Sequence, residues 1–169
     1  KHVSLIDQGY LGGRERSLIE IPNYREDKKS HDDVGKRVCL FSFERLLELR
    51  GQGFPLFPGA LGENVTTQGL VFPNINIGDI LYLGTENRGF AIKITKPRKP
   101  CETIEPFARI KNIVDGLPKE DELHLTSALV FTKDPLHPKW GESGFYASIE
   151  EINGTGIIFP GDEIKLFKA

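Results

Sequence analysis

Cysteine is almost missing from this sequence: two residues, Cys39 and Cys101, in a chain of 169. Two are too few for a disulfide framework, and nothing around either argues for a bridge between them. Thiols in a reducing compartment, the cytoplasm by default, are therefore expected. An excess of charge of one sign is missing too. Lys and Arg number 22 against 24 Asp and Glu, for a net charge of -2. That balance gives no support to nucleic-acid binding, which normally shows as a basic excess. No apolar run approaches the ~20 residues that a membrane-spanning helix requires, and no signal peptide is visible. The first residue is Lys1 and not Met, so a targeting segment ahead of it stays open.

Several familiar motifs are absent. The four histidines, His2, His31, His124 and His137, do not stand at metal-ligand spacing from one another or from a cysteine, which argues against a zinc site. There is no G-x-S-x-G elbow for a serine nucleophile, no G-x-x-x-x-G-K-S/T phosphate loop and no G-x-G-x-x-G. His31 beside Asp32 and Asp33 reads either as a base with orienting carboxylates or, on a polar stretch from Asn23 to Asp33, as part of a solvated loop.

What is present is β-rich punctuation: short apolar runs separated by Gly, Pro, Asn and Asp, with 18 Gly and 11 Pro to make the turns. Strands are expected at VSLI near residue 3, RSLIEI ending at Ile21, RVCLF ending at Phe41, DILYLG after Asp79 and GFAIKIT ending at Thr95. Two more are expected at GFYASIEEI around Tyr146 and at DEIKLF before the C-terminus. Alternation in FAIKIT puts Phe90, Ile92 and Ile94 on one face, and Ala91, Lys93 and Thr95 on the other. One helix is signalled, with Ser42 as its N-cap, Phe43, Leu46, Leu47 and Arg50 on one face, and Gly51 as its stop. After Cys101, Pro106 and Pro118 limit any helix to short pieces. Gly-Asp precedes an alternating run twice, in IGDILYL (Ile77 to Leu83) and PGDEIKLF (Pro160 to Phe167), an echo best read as one good turn used twice. A length of 169 residues suits one domain with its own core, and many short strands with few helices suggest an all-β barrel or sandwich.

Two stretches carry candidate chemistry. In ITKPRKPCETIEP, Cys101 follows a proline and lies just downstream of Lys93, Lys96, Arg98 and Lys99. Neighbouring cations favour a thiolate, the form that attacks electrophiles or binds soft metals. Pro97 and Pro100 stiffen the segment into a shaped loop after a strand, where scaffolds present functional groups. The plainer reading is a half-buried cysteine in a proline-rich turn. Cys39, inside the apolar run RVCLF, reads as core packing. In FPGALGENVTTQGL (Phe57 to Leu70), Gly59, Gly62 and Gly69 permit tight turns, and Glu63, Asn64, Thr66 and Thr67 offer donors and acceptors. From composition alone this is a polar turn leading into a short strand.

Taken in order, PGALGEN-V-T, IGDILYLG and an apolar strand running into KPRKPC resemble the MOSC domain, found at the C-terminus of molybdenum cofactor sulfurases and in stand-alone bacterial proteins. Flanking pieces are similar as well: His31, Arg37, VCLFS and FERLLEL upstream, GFYASI and PGDEIKL downstream. The resemblance covers roughly Ser17 to Leu166 of a single domain spanning residues 1–169. It implies a mainly β fold, a closed or partly closed barrel with a few short helices. It implies the molybdenum cofactor (molybdopterin), with Cys101 as the catalytic residue, either as molybdenum ligand or as carrier of sulfur in a persulfide. Asn64 and Thr66 fall on the family's polar turn, and Arg37, Lys96 and Arg98 become partners for the anionic pterin phosphate on grounds of charge. The expected activity is reduction of N-hydroxylated compounds; the alternative is sulfur transfer. The expected partners are a small-molecule substrate and an electron-donor or cysteine desulfurase protein, with no nucleic acid and no membrane. Two departures from the family pattern stand out. HDDVGKR replaces a His-Gly-Gly shortly before the Arg, and the stretch from Ile104 to Trp140 is long and takes no part in the motif. Residues that shape substrate choice are expected in those two places.

Overall fold

Val38–Ser42 is a run of five residues buried on both faces, and it organises the molecule around itself. In the computed structural model, which describes residues 4–5, 34–101, 104–154 and 156–169, this run is strand β2, after a short β1 (Ser4–Leu5). Helix α1 (Phe43–Gly51) follows at once, and its start is set as the sequence predicts: Ser42 is extended and its hydroxyl accepts the Arg45 N–H at 3.2 Å. The buried stripe of α1 is Leu46 and Leu49, whereas Leu47, expected inside, is 47% exposed. Helix α1 and the turn beyond it then return the chain to β3 (Val65–Gln68), which pairs with β2 in parallel. Parallel neighbours need a crossover of a dozen or more residues, and residues 43–64 supply it.

The remaining strands are β4 (Ile80–Thr85), β5 (Arg88–Pro97), β6 (Phe145–Gly154) and β7 (Ile164–Phe167). Among the described residues the seven form one mixed sheet in the order β1-β3-β2-β6-β5-β4-β7, with no pairing between its two ends, and the fold is the mainly β, partly closed barrel that the resemblance implies. Among the described residues no helix is long and apolar enough to cross a membrane. The expected strand ending at Ile21, His2, and the polar stretch that holds His31 lie outside the described residues.

Two cores lie on opposite sides of β2. Val38 and Leu40 join Leu81, Ile92, Ile94, Trp140 and Phe145 inside the barrel. Phe41 points the other way, into a helical layer with Leu46, Leu49, Leu61, Ile104 and Leu125. That layer is made by α1, by α2 (Glu105–Asp115) and by a single turn, α3 (Leu125–Ala128). Helix α2 runs eleven residues and so corrects the expectation of short pieces. Pro106 sits in its first turn, where the missing N–H costs nothing, and the helix ends at Gly116 in the left-handed region (φ 64°), ahead of Pro118.

The Gly-Asp echo is one turn made twice. Asp79 and Asp162 each accept the N–H three residues back, from Asn76 (2.8 Å) and Phe159 (2.7 Å), and launch β4 and β7, which pair with each other.

Candidate functional site

Strand β5 carries the basic stretch to its place, and one irregularity decides where it points. Opposite β6, Ile94 faces Ala147 and Lys96 faces Tyr146, so Thr95 is an extra residue, a β-bulge. Without it, Lys96 would follow Ile92 and Ile94 into the barrel core. With it, Lys96 turns outward. The Thr95 hydroxyl lies within hydrogen-bonding reach of the Gly35 and Tyr146 carbonyls, which ties the 3-10 turn Val34–Lys36 against the ends of β5 and β6.

Beyond the bulge, Arg98 turns inward and is only 5% exposed. Its backbone is fixed on both sides: its N–H donates to the Gly144 carbonyl at 2.9 Å, and its carbonyl accepts from the Ser143 hydroxyl. Gly144 has to be glycine, since its φ is 87° and a Cβ would lie 2.3 Å from the Leu40 carbonyl oxygen. The Arg98 Nη2 donates to the Leu61 carbonyl, and the guanidinium also bonds the Tyr146 side chain. Its Nη1 is buried and has no hydrogen-bond partner among the described residues. Burial alone would lower the Arg98 pKa, but Cys39, Tyr146, Glu63 and Cys101 around it turn the balance and hold it above its ordinary value. The Tyr146 phenol is pushed up, chiefly by burial, so it keeps its proton at neutral pH.

Leu61 presents its carbonyl to Arg98 because of the polar turn before β3. Glu63 is buried there, and its carboxylate gathers the N–H of Gly59 (2.6 Å), the N–H of Leu61 (3.1 Å) and the Thr66 hydroxyl (2.9 Å). Asn64 makes a reciprocal pair with the backbone of Cys39: its Oδ1 accepts the Cys39 N–H at 2.8 Å, and its own N–H donates to the Cys39 carbonyl at 2.9 Å. Turn and basic stretch, far apart in sequence, are thus joined by one bond from Arg98 to Leu61.

The two cysteines differ as the sequence predicts, and they are not in a disulfide. Cys39 is buried, and burial pushes its thiol up to about 11, so it packs rather than reacts. Cys101 is exposed and within electrostatic range of Arg98. Two residues before it, Lys99 lines a cavity of about 560 Å3, together with Lys36, Lys96, Lys133, Phe131 and Tyr146.

Of the residues named from sequence, the structure gathers Lys96, Arg98 and Cys101 at the end of β5. Asn64 and Thr66 stand in the neighbouring turn, with the Asn64 Oδ1 bonded to Cys39 and the Thr66 hydroxyl to Glu63. Arg37 is exposed and does not line the cavity, although the adjacent Lys36 does. Sequence reasoning missed Tyr146, Phe131 and Lys133. Tyr146 was visible only as an aromatic in GFYASI, and Phe131 and Lys133 lie in a stretch with no motif to mark them.

Comparison with known proteins identifies the family and the fold. The MOSC domain family model matches residues 27–165. The uncharacterized protein YflK of Bacillus subtilis is 28% identical over 120 residues, 64% of this chain and 51% of its own length. The crystal structure of YiiM from Geobacillus stearothermophilus superposes with a TM-score of 0.56 at 25% identity, covering 79% of this chain and 55% of that one. The crystal structure of the YUAD protein from Bacillus subtilis gives 0.54 at 19% identity, over 98% and 85% of the two chains, a likeness of fold. The chain spans about half the length of YflK and of YiiM. With the family model matching residues 27–165 and the fold shared with YiiM, this chain belongs to the MOSC domain family, which is associated with the molybdenum cofactor.

Proposed function

We propose that the protein binds the molybdenum cofactor, that Cys101 is its thiolate ligand to the metal, and that the loaded protein reduces N-hydroxylated compounds. One observation carries the reading: a charged guanidinium, Arg98, buried close to the exposed Cys101, with Nη1 lacking a hydrogen-bond partner among the described residues. Leaving a buried donor unpaired costs about 1–3 kcal/mol, more for a charged group. Such a donor calls for a partner, an ordered water or an anionic ligand, and the reading adopts the second.

The donor set suits this cofactor. Among the described residues no three of His, Cys, Asp and Glu stand together as a metal cage, so a bare ion would find too few ligands. A metal already held by pterin dithiolene sulfurs needs one further soft ligand, which a single thiolate provides. Arg98 and Lys96 would meet the cofactor's phosphate, and the exposed Arg37 would add positive charge at the surface. Asn64 and Thr66 would act at one remove, by building the turn that fixes Arg98. When bound, the cofactor supplies the electron pair that, with two protons, converts an N–OH group to N–H and water. An electron-donor protein restores it. Tyr146, which lines the cavity, keeps the proton on its phenol.

Turnover tests the activity. Protein made in a cofactor-competent host should reduce an N-hydroxylated amidine with reduced viologen as donor, and Cys101→Ala should lower the rate ~100-fold or more. Equal rates in the two proteins would refute it. The second reading, a sulfur carrier, draws support from the exposure of Cys101 and from the neighbouring cation, which would also pair with a persulfide anion. It predicts that a cysteine desulfurase adds the mass of one sulfur atom to Cys101, and that the protein alone shows no turnover.

A further inference from the structure

Helix α2 presents apolar residues on two sides, and the helical layer uses only one of them. Ala108 and Asn112 are buried on the inner side, where Phe107 also packs against the core of that layer. On the outer side Pro106, Ile110, Ile113 and Val114 follow the i, i+4, i+7, i+8 spacing of a second stripe. Ile110, Ile113 and Val114 are 50%, 80% and 79% exposed. We infer that a second copy of the chain docks on this outer stripe, with the two α2 helices packed antiparallel about a two-fold axis. The inference goes beyond the proposed function and does not depend on it.

Charge decides which way the copies meet. A two-fold contact brings a patch onto its own image, so the patch must be complementary to itself. The stripe has no charge at its centre, and its surroundings change sign along the helix. Arg109 is exposed in the first half, Asp115 is exposed at the end, and Glu120, Asp121 and Glu122 are exposed just beyond. Asp115 is paired with Lys111 in its own helix, so Glu120 and Asp121, on the 3-10 turn Lys119–Asp121, are the acids that answer Arg109. Antiparallel packing sets Arg109 of each copy toward the acidic end of the other. A parallel pair would set acid on acid, a juxtaposition that interfaces avoid.

The helix is mounted so that this stripe is held outward. At its start Glu105 accepts the Leu125 and Thr126 N–H groups at 3.0 Å each. Toward its end the Asn112 side chain donates to the Leu123 carbonyl at 3.0 Å and accepts the Leu123 N–H at 3.1 Å. Ile110, Ile113 and Val114 are β-branched and stiff at χ1, so little side-chain freedom is lost when they are covered. Eleven residues make a helix about 16 Å long, a smaller face than the ~800 Å2 per partner of a standard complex, so a weak dimer is expected. Cys101 stands just ahead of α2, its carbonyl accepting the Ile104 N–H at 3.3 Å. The partner's acidic turn therefore comes to the same end of the helix as Cys101.

Sedimentation equilibrium of the wild-type chain over a concentration series tests this. A dimer with a Kd of ~1–100 μM is expected. Ile113→Asp should weaken it ~tenfold or more, and its melting curve at low concentration should match the wild type's, since Ile113 is mostly exposed. Arg109→Glu, and separately Glu120→Arg with Asp121→Arg, should each dimerise ~tenfold more weakly than the wild type. An equimolar mixture of those two variants should recover the wild-type affinity, because every pair across the axis is then of opposite sign. A wild type that stays monomeric up to ~1 mM, a dimer indifferent to Ile113→Asp, or a mixture that does not recover would overturn the inference. A monomer that Ile113→Asp destabilises would overturn it as well, and would assign the stripe to a segment of the chain itself. A monomer whose stability Ile113→Asp leaves unchanged would overturn it in favour of a different protein.

Discussion

Arg98 is the residue on which the site turns. It has three directions to serve: the Leu61 carbonyl, the Tyr146 side chain, and whatever meets Nη1. A lysine keeps the charge but presents one nitrogen on a flexible stem, so it cannot hold all three. Arg98→Lys should therefore cost about 1–2 kcal/mol of stability in denaturant, and should empty the protein of pterin, read by fluorescence after oxidation. A stability loss with pterin content unchanged would make Arg98 structural only. From the sequence Arg98 was one cation among four near Cys101. Its burial was not legible there, because it follows from contacts with Ser143 and Gly144, in the turn just before β6 and some 45 positions later. Cys39 and Cys101, by contrast, separated cleanly on local composition: an apolar strand for one, a proline-rich basic loop for the other.

At the scale of elements, what could be read locally was read well. Ser42 caps α1, and Gly-Asp launches β4 and β7. What depended on neighbours was not. Leu47 continued the helical pattern but faces solvent, and the Thr95 bulge that aims Lys96 is a property of two paired strands. Pro106, which in the sequence limits helix, opens one here because it falls in the first turn. The launching turns have a consequence for acid stability. Asp162 is held below the ordinary carboxylate range by hydrogen bonds from Arg88, reinforced by the Phe159 N–H. For Asp79 burial pulls upward, but Lys168 and the N–H groups of Asn76 and Ala169 outweigh it, and its pKa is lowered as well. Lowered folded-state values mean stability that is present above the unfolded carboxyl's pKa, about 3.9, and lost as pH falls through the folded values. Asp162→Asn should melt lower than the parent at neutral pH, with the gap closing as acid protonates the parent's carboxylate. A gap of constant size from neutral pH down through the acid range would contradict this.

For the whole molecule, the candidate site lies at the end of β5, on the side of the barrel where Arg98 reaches the turn that follows the helical crossover. That position explains why so much of it was hidden. The strand pattern gave a mainly β fold, and the resemblance gave its type, but the parallel β2–β3 pair and its helical crossover needed the folded chain. The crossover brings the Glu63–Asn64 turn beside Cys39, and Arg98 then reaches it.

The central claim, that Cys101 holds molybdenum in a cofactor completed by Arg98, is tested most directly by the molybdenum-to-protein ratio of purified wild-type and Cys101→Ala protein from a cofactor-competent host. The account predicts near-stoichiometric molybdenum in the wild type and little in the variant. Equal molybdenum in both, or none in either, would contradict it.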